Sequence, residues 1–149
     1  MVLPAFFLRS QGLRKLYGLL FAPLLSQLGL TQLEMDILLF LANNPVHDTA
    51  TDIVEVRHLT KSHVSASVKT LQARGYLQRV FLAGNHKTVH LRLTPAAGPV
   101  VEQGRRAQQS FFATLQKGLA PAERAVLKAA FHKMLKNART ALQGGRGTV

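Results

Sequence analysis

The sequence predicts a mainly α fold with one small β-hairpin, an α+β chain. Three observations carry this. Apolar residues recur at helical spacing over most of the length. The period changes to two only between Leu77 and Leu93. Thr31, Thr49, Thr60 and Thr94 stand where helices start, and Gly29 and Gly75 where helices stop.

The first helix is expected from about Ala5 to Leu28. Leu8, Leu13, Leu16, Leu20, Leu24 and Leu28 recur along it, with Phe6, Phe7, Tyr17, Leu19 and Phe21 beside them. So wide an apolar surface exceeds what one small domain can cover, and burial against a partner subunit is the usual remedy. A membrane-surface helix would need a more basic polar face than Arg9, Arg14 and Lys15 provide. Gly29-Leu30-Thr31 ends this helix and starts the next, with Thr31 and Glu34 spaced as a capping box. The second helix, Gln32 to about Asn43, is apolar almost all round through Met35, Ile37, Leu38, Leu39 and Leu41. It reads as the central core helix, stopped by Asn43-Asn44-Pro45.

Thr49 caps a short third helix with Asp52 at N3, and Ile53, Val54 and Val56 supply its buried side. His58 stands in a turn that calls for positive φ, where Gly would fit better. The next helix is bracketed by Thr60 as N-cap and Gly75 as C′. Val64, Val68 and Leu71 form its buried stripe at i, i+4, i+7. The opposite side carries Ser62, Ser65, Ala66, Lys69 and Ala73, flanked by His63 and Thr70. Taken alone it is an ordinary amphipathic helix with a solvated face. The charge around it favours a different reading. No Asp or Glu occurs between Glu55 and Glu102, while Arg57, Lys61, Lys69, Arg74, Arg79, Lys87 and Arg92 all do.

Leu77 to Leu82 is expected to pair with a strand in which Val89, Leu91 and Leu93 alternate with Thr88, His90, Arg92 and Thr94. Ala83-Gly84-Asn85-His86 reads as the hairpin tip. Thr94-Pro95 then caps a helix running to Leu119, with Pro95 at N1. Gly98, Pro99 and Gly104 weaken its first turns, by a late start or a kink at Pro99. Pro121 opens a last helix whose stripe is Leu127, Ala130, Phe131, Met134, Leu135, Ala138 and Leu142. Gly144 to Gly147 reads as a disordered end.

Composition bounds the function. The 149 residues are 47% hydrophobic, enough for one ordinary domain or a small domain with an association surface. A net charge of +12 points to a polyanionic partner, nucleic acid or an anionic membrane surface. With no cysteine, disulfides, thiolate metal sites, a Cys nucleophile and thiol redox sensing are all excluded. The longest apolar run, Leu16 to Leu25, is too short to span a bilayer and contains Pro23. The apolar N-terminus has no basic region before it, so a secretory signal is not expected and the protein reads as cytoplasmic, without a membrane partner.

The order of elements, with a helix, a core helix, helix-turn-helix, a wing hairpin and two further helices, is that of a winged helix-turn-helix regulator. The residues carry the likeness further. Gly29-Leu30-Thr31, Leu59-Thr60-Lys61-Ser62-His63-Val64, Leu71-Gln72-Ala73-Arg74-Gly75-Tyr76-Leu77 and Leu91-Arg92-Leu93-Thr94-Pro95 resemble, in sequence and spacing, the MarR (multiple antibiotic resistance regulator) family. The resemblance runs from about Leu8 to Leu142. It implies one domain over residues 1–149, with a winged helix-turn-helix lobe at 31–94 and dimerisation helices at 5–28 and 95–143. It also implies a homodimer that puts one helix of each subunit in the major groove and one wing in the minor groove. The family's wing usually carries Asp-x-Arg. Here the matching positions read Asn85-His86-Lys87, so Lys87 takes the Arg place.

The expected DNA-binding set is then Thr60, Lys61, Ser62, His63, Ser65, Ala66, Lys69 and Thr70 on the helix, with Arg79, Asn85, His86 and Lys87 on the wing. No phosphate-cradling glycine loop is present, and Asp48, Asp52 and Glu55, the closest acids, suit helix starts better than catalysis. His58, His63, His86 and His90 are candidate metal ligands in principle, and DNA contact is preferred for His63 and His86. No enzyme and no cofactor are expected. The resemblance implies a pocket between lobe and dimerisation helices for a small apolar or aromatic effector, with Phe21, Phe40 and Phe111 as candidate lining or plain core. Two function classes stay open. One is a sequence-specific double-stranded DNA-binding regulator, ligand-responsive and repressing. The other is a non-specific RNA-binding or architectural protein, which a low ratio of specific to bulk affinity would reveal.

Overall fold

The structure, a computed structural model, describes residues 3–57 and 59–144, with side chains over 11–55 and 59–144. The described elements follow as α1 (Leu3–Leu28), α2 (Gln32–Asn43), α3 (Ala50–Arg57), α4 (Lys61–Ala73), β1 (Leu77–Val80), β2 (His90–Leu93), α5 (Ala97–Leu115) and α6 (Pro121–Gly144). This is the mainly α class with one antiparallel hairpin.

α1 runs through Pro23 and ends where Gly29 takes φ +63°. There Leu30 N–H donates to the Leu25 carbonyl at 3.1 Å, a Schellman-type closure. Thr31 and Glu34 complete the capping box in both directions, at 3.0 and 3.1 Å. α2 then lies at the centre of the core, with Met35, Ile37, Leu38 and Leu39 at 2% exposure or less. One residue of α5 shows how tightly it is enclosed. A Cβ built on Gly104 would stand 2.7 Å from Met35 Sδ and 3.1 Å from Leu39 Cδ2. Gly104, which weakens a helix by propensity, is the residue that lets α5 lie against α2.

At the start of α3, the Thr49 and Asp52 N–H groups each bond the other's side chain, at 3.0 and 3.1 Å. His58 lies outside the described residues; beyond it Leu59 N–H donates to the Val54 carbonyl at 3.2 Å. α4 buries Val64, Val68 and Leu71 against the core. Thr60 is its N-cap in extended backbone, but the hydroxyl makes no capping bond. The other end closes as α1 does. Gly75 takes φ +79°, and the Gly75 and Tyr76 N–H groups donate to Gln72 and Leu71 carbonyls, both at 3.0 Å.

The hairpin is shorter than its alternation suggests. Pairing runs from Leu77 opposite Leu93 to Val80 opposite His90, and residues 81–89 form a loop. β2 is tied back to the lobe by Leu91 N–H on the Asp48 carbonyl at 2.7 Å. α5 starts at Ala97, not at Pro95. The Thr94 hydroxyl donates to the Gly75 carbonyl instead of capping a helix, and Ala97 and Gly98 N–H groups bond Thr94 and Pro95 carbonyls in a turn. Pro99 falls in the first turn of α5, where a missing N–H loses no bond and forces no kink. α5 ends at Leu115, short of Leu119, and Gly118 follows at φ +83°.

The chain divides into compact units between Phe111 and Phe112. In the second unit Ala120 N–H bonds the Glu123 carboxylate at 2.7 Å, and Pro121 takes the first helical position. Every residue of α6 is exposed, including Leu127, Phe131, Met134, Leu135 and Leu142 of its apolar stripe. Beyond Gly144 the expected disordered end lies outside the described residues. Among them no single helix is long and apolar enough to cross a membrane. The α1–α2 pair passes on composition only with a 96° bend between its halves.

Candidate nucleic-acid interface

The candidate surface is built on α4. Its buried stripe pins one side, so Lys61, Ser62, His63, Ser65, Ala66, Lys69 and Thr70 are all left exposed on the others, with Thr60 exposed at the N-cap. The short side chains of Ser62, Ser65 and Ala66 leave little bulk around Lys69. Such a face admits close approach of the helix to a groove wall. The Thr70 hydroxyl donates to the Ala66 carbonyl at 3.2 Å, so its proton is engaged within the helix. At the N-terminal end of α4 the first N–H groups are unpaired within the helix and stand beside Lys61 and His63, an arrangement that favours an anion. Beside it, Ala50, Thr51, Val54, Lys61 and Ser65 line a cleft of about 280 Å³ between α3 and α4. Thr51 carries no sequence signal for this surface and becomes part of it only through the packing of α3 on α4.

The wing is held by Asn85. Its side-chain oxygen accepts from Lys87 N–H at 2.9 Å and Thr88 N–H at 3.2 Å, and its amide donates to the Thr88 hydroxyl at 3.3 Å. Asn85 N–H closes the turn on the Leu82 carbonyl at 3.0 Å. An Asx-type turn of this kind gives the loop the backbone order that a carboxylate would otherwise provide. Arg79 on β1, Asn85, His86 and Lys87 are exposed, as is Arg92 on β2. The Phe81 and His86 rings lie 6.1 Å apart, and Phe81 is half-exposed at the end of β1. Neither Phe81 nor Arg92 belongs to the sequence-derived set, although Arg92 is visible in its acid-free basic stretch.

His90 belongs to the base of the wing, not its tip. Its Nδ1 lies 2.7 Å from Asp48 Oδ1 and both side chains are partly buried, so the pair joins β2 to the residues before α3. Asp48 therefore has a partner 42 positions away, which no local spacing could reveal. No group of three or more metal-ligating side chains occurs among the described residues.

Residues 28–87, the stretch that contains α2, α3, α4 and most of the wing, match the family model described as MarR family. Through this lobe the chain is similar to the MarR family. Comparison with curated proteins gives no match. Among solved structures, the chain is similar to a putative MarR family transcriptional regulator from Listeria monocytogenes, complexed with a 26mer DNA. Identity is 19%, with 100% of this chain and 97% of that one covered and a TM-score of 0.75. A MarR-family transcriptional regulator from Silicibacter pomeroyi gives 21% identity, 91% and 89% coverage and a TM-score of 0.73. The BpsR protein of Bordetella bronchiseptica, whose DNA binding is regulated by 6-hydroxynicotinic acid, gives 20% identity, 90% and 92% coverage and a TM-score of 0.67.

Asn85 orders the wing turn through a neutral side chain, by accepting from Lys87 N–H and Thr88 N–H. The aromatic residues considered for an effector separate. Phe21 is fully buried, and Phe111 meets Tyr17 edge-on at 5.2 Å between ring centres, both within the core. Phe40 lines a cleft of about 110 Å³ together with Tyr17, Leu39, Asn43 and Gln108. That volume is below the ~300–1,000 Å³ usual for small-molecule sites.

Proposed function

We propose that this chain is a sequence-specific, double-stranded DNA-binding transcriptional regulator, which acts as a homodimeric repressor and responds to a small apolar or aromatic ligand. In this reading α4 enters the major groove and the 81–89 wing meets the minor groove. The observation that carries it is the exposed, acid-free face of α4, backed by a buried apolar stripe and flanked by a cationic wing. Phosphate contacts from Lys61, His63 and the wing would supply affinity, while Lys69 and the serines would read base edges. The solved relatives support it by analogy, one as a complex with DNA and one with DNA binding regulated by a small molecule. The uncovered apolar stripe of α6 supports self-association.

Two recognition helices related by a two-fold axis select a pseudo-palindrome with half-sites about 10 bp apart, centre to centre. Binding-site selection with wild type and Lys69→Ala tests this. The expected result is a palindrome for wild type and relaxed preference at one position of each half-site for the variant, a loss of ~1–3 kcal/mol of discrimination. A variant that binds more weakly with unchanged preference reduces Lys69 to a phosphate contact. A wild type that selects no palindrome removes the regulator reading and favours general nucleic-acid binding.

A further inference from the structure

Arg74 is the C-cap of α4, yet its guanidinium is committed to a different helix. One terminal nitrogen donates to the Gly29 carbonyl at 2.8 Å and the other to the Leu28 carbonyl at 2.6 Å. Its central carbon also lies 5.3 Å from the centre of the Tyr76 ring. The last carbonyls of a helix have no partner inside it. At the end of α1 the Schellman closure uses the Leu25 carbonyl, and Arg74 takes the carbonyl of Leu28, the last helical residue, and that of Gly29 just beyond it. An exposed arginine in a basic lobe would ordinarily be assigned to phosphate. Here its fork is spent on the protein itself.

A fork bonded to two successive carbonyls resists rotation as well as separation, which a single-point donor does not. Its grip falls on the segment that most needs it. The α1–α2 connection is only Gly29, Leu30 and Thr31, and Gly29 is its residue of widest backbone freedom. We propose that Arg74 is a positioning residue for DNA recognition. It locks α4 to the end of α1 and so sets the distance between the two recognition helices of the dimer. This rests on the dimeric DNA-binding reading above, with α1 in the subunit interface and α4 in the groove. A loose joint at Gly29 would let each lobe swing, and a dimer that swings accepts half-sites at several spacings. Arg74 thus acts on spacing and leaves the identity of the bases to α4.

The variant of choice is Arg74→Lys, which keeps the charge and removes the fork. Binding is measured for the full chain on duplexes whose half-site spacing steps through values around 10 bp. Wild type is expected to prefer one spacing by about tenfold, and Arg74→Lys by about twofold, with the salt slope unchanged. The chain has no cysteine, so Gln72→Cys on exposed α4 gives one spin label per subunit. Pulsed dipolar spectroscopy should then show a narrow distance distribution between labels that broadens with Arg74→Lys. Tyr76→Leu removes only the ring face behind the guanidinium and should broaden it less. Variants that are folded and bind equally worse at every spacing, with an unbroadened distribution, overturn the proposal and leave Arg74 a stabilising contact. A wild type without paired half-sites overturns the regulator reading and this inference together. A wild type with them, matched in spacing preference by Arg74→Lys, overturns this inference alone.

Discussion

Asn85→Ala separates the order of the wing from its charge. The substitution removes the acceptor for Lys87 N–H and Thr88 N–H and the donor to the Thr88 hydroxyl. All three bonds are exposed, so the low end of the usual range applies, ~0.5 kcal/mol for each of the two backbone bonds. The weak 3.3 Å side-chain bond adds little. Binding must then restore about 1 kcal/mol of loop order, which is roughly a fivefold weaker Kd. No charge is lost, so the slope of log K against log salt should stay at the wild-type value. Lys87→Ala should do the reverse in part, lowering the slope by about 0.9 for the phosphate contact removed. Asn85→Asp keeps both acceptors and adds a negative charge near the backbone of the DNA. It should fall between wild type and Asn85→Ala. Fluorescence anisotropy titrations of one duplex at four or more salt concentrations measure all three. An Asn85→Ala protein that binds as wild type would mean the turn forms without its side chain. A changed slope would mean Asn85 holds Lys87 on a phosphate and not merely the loop in shape.

Two further outcomes are expected. Gly104→Ala gains ~1 kcal/mol of helix propensity but drives a methyl into fully buried Met35 and Leu39, an overpacking worth ~1–3 kcal/mol. Net loss should be about 1 kcal/mol, a fall in Tm of ~2–4 °C by calorimetry, and a Tm at or above wild type would show that the two side chains yield freely. The chain should sediment as a dimer at low micromolar concentration because of the uncovered stripe Leu127, Phe131, Met134, Leu135 and Leu142. A well-folded monomer there would refute that use of α6.

What was legible in the sequence is what is local. Thr31 with Glu34 and Thr49 with Asp52 announce helix starts because each pair closes on itself within three residues. Gly29 and Gly75 announce helix ends because positive φ is required there. α2 falls on its expected bounds, Gln32 to Asn43, since caps at both ends and a full apolar surface agree. The exposed face of α4 follows directly from the spacing of Val64, Val68 and Leu71. The rest depends on distant partners. The strands stop early because Asn85 organises residues 82–88 into a turn, and alternation alone cannot register that competition. Thr94 has the look of an N-cap, and only the fold brings the Gly75 carbonyl to its hydroxyl. Gly104 gives the same signal whether it loosens a helix or admits a neighbour. Arg74 and Asp48 look like an exposed cation and a helix-start acid until the chain brings their partners across more than forty positions.

The joint at Arg74 also has an electrostatic consequence. α1 and α4 both end there, and each helix C-terminus carries roughly half a negative elementary charge from its aligned peptide dipoles. Two such ends brought together repel. The guanidinium that reaches from one to the other supplies a full positive charge to both, so it acts as a shared counterion as well as a clasp. With its negative pole neutralised by a side chain of the protein, α4 keeps its positive pole free at the other end. The end that carries Lys61, Ser62 and His63 is then the unopposed end of the dipole, an exposed positive pole that favours an anion.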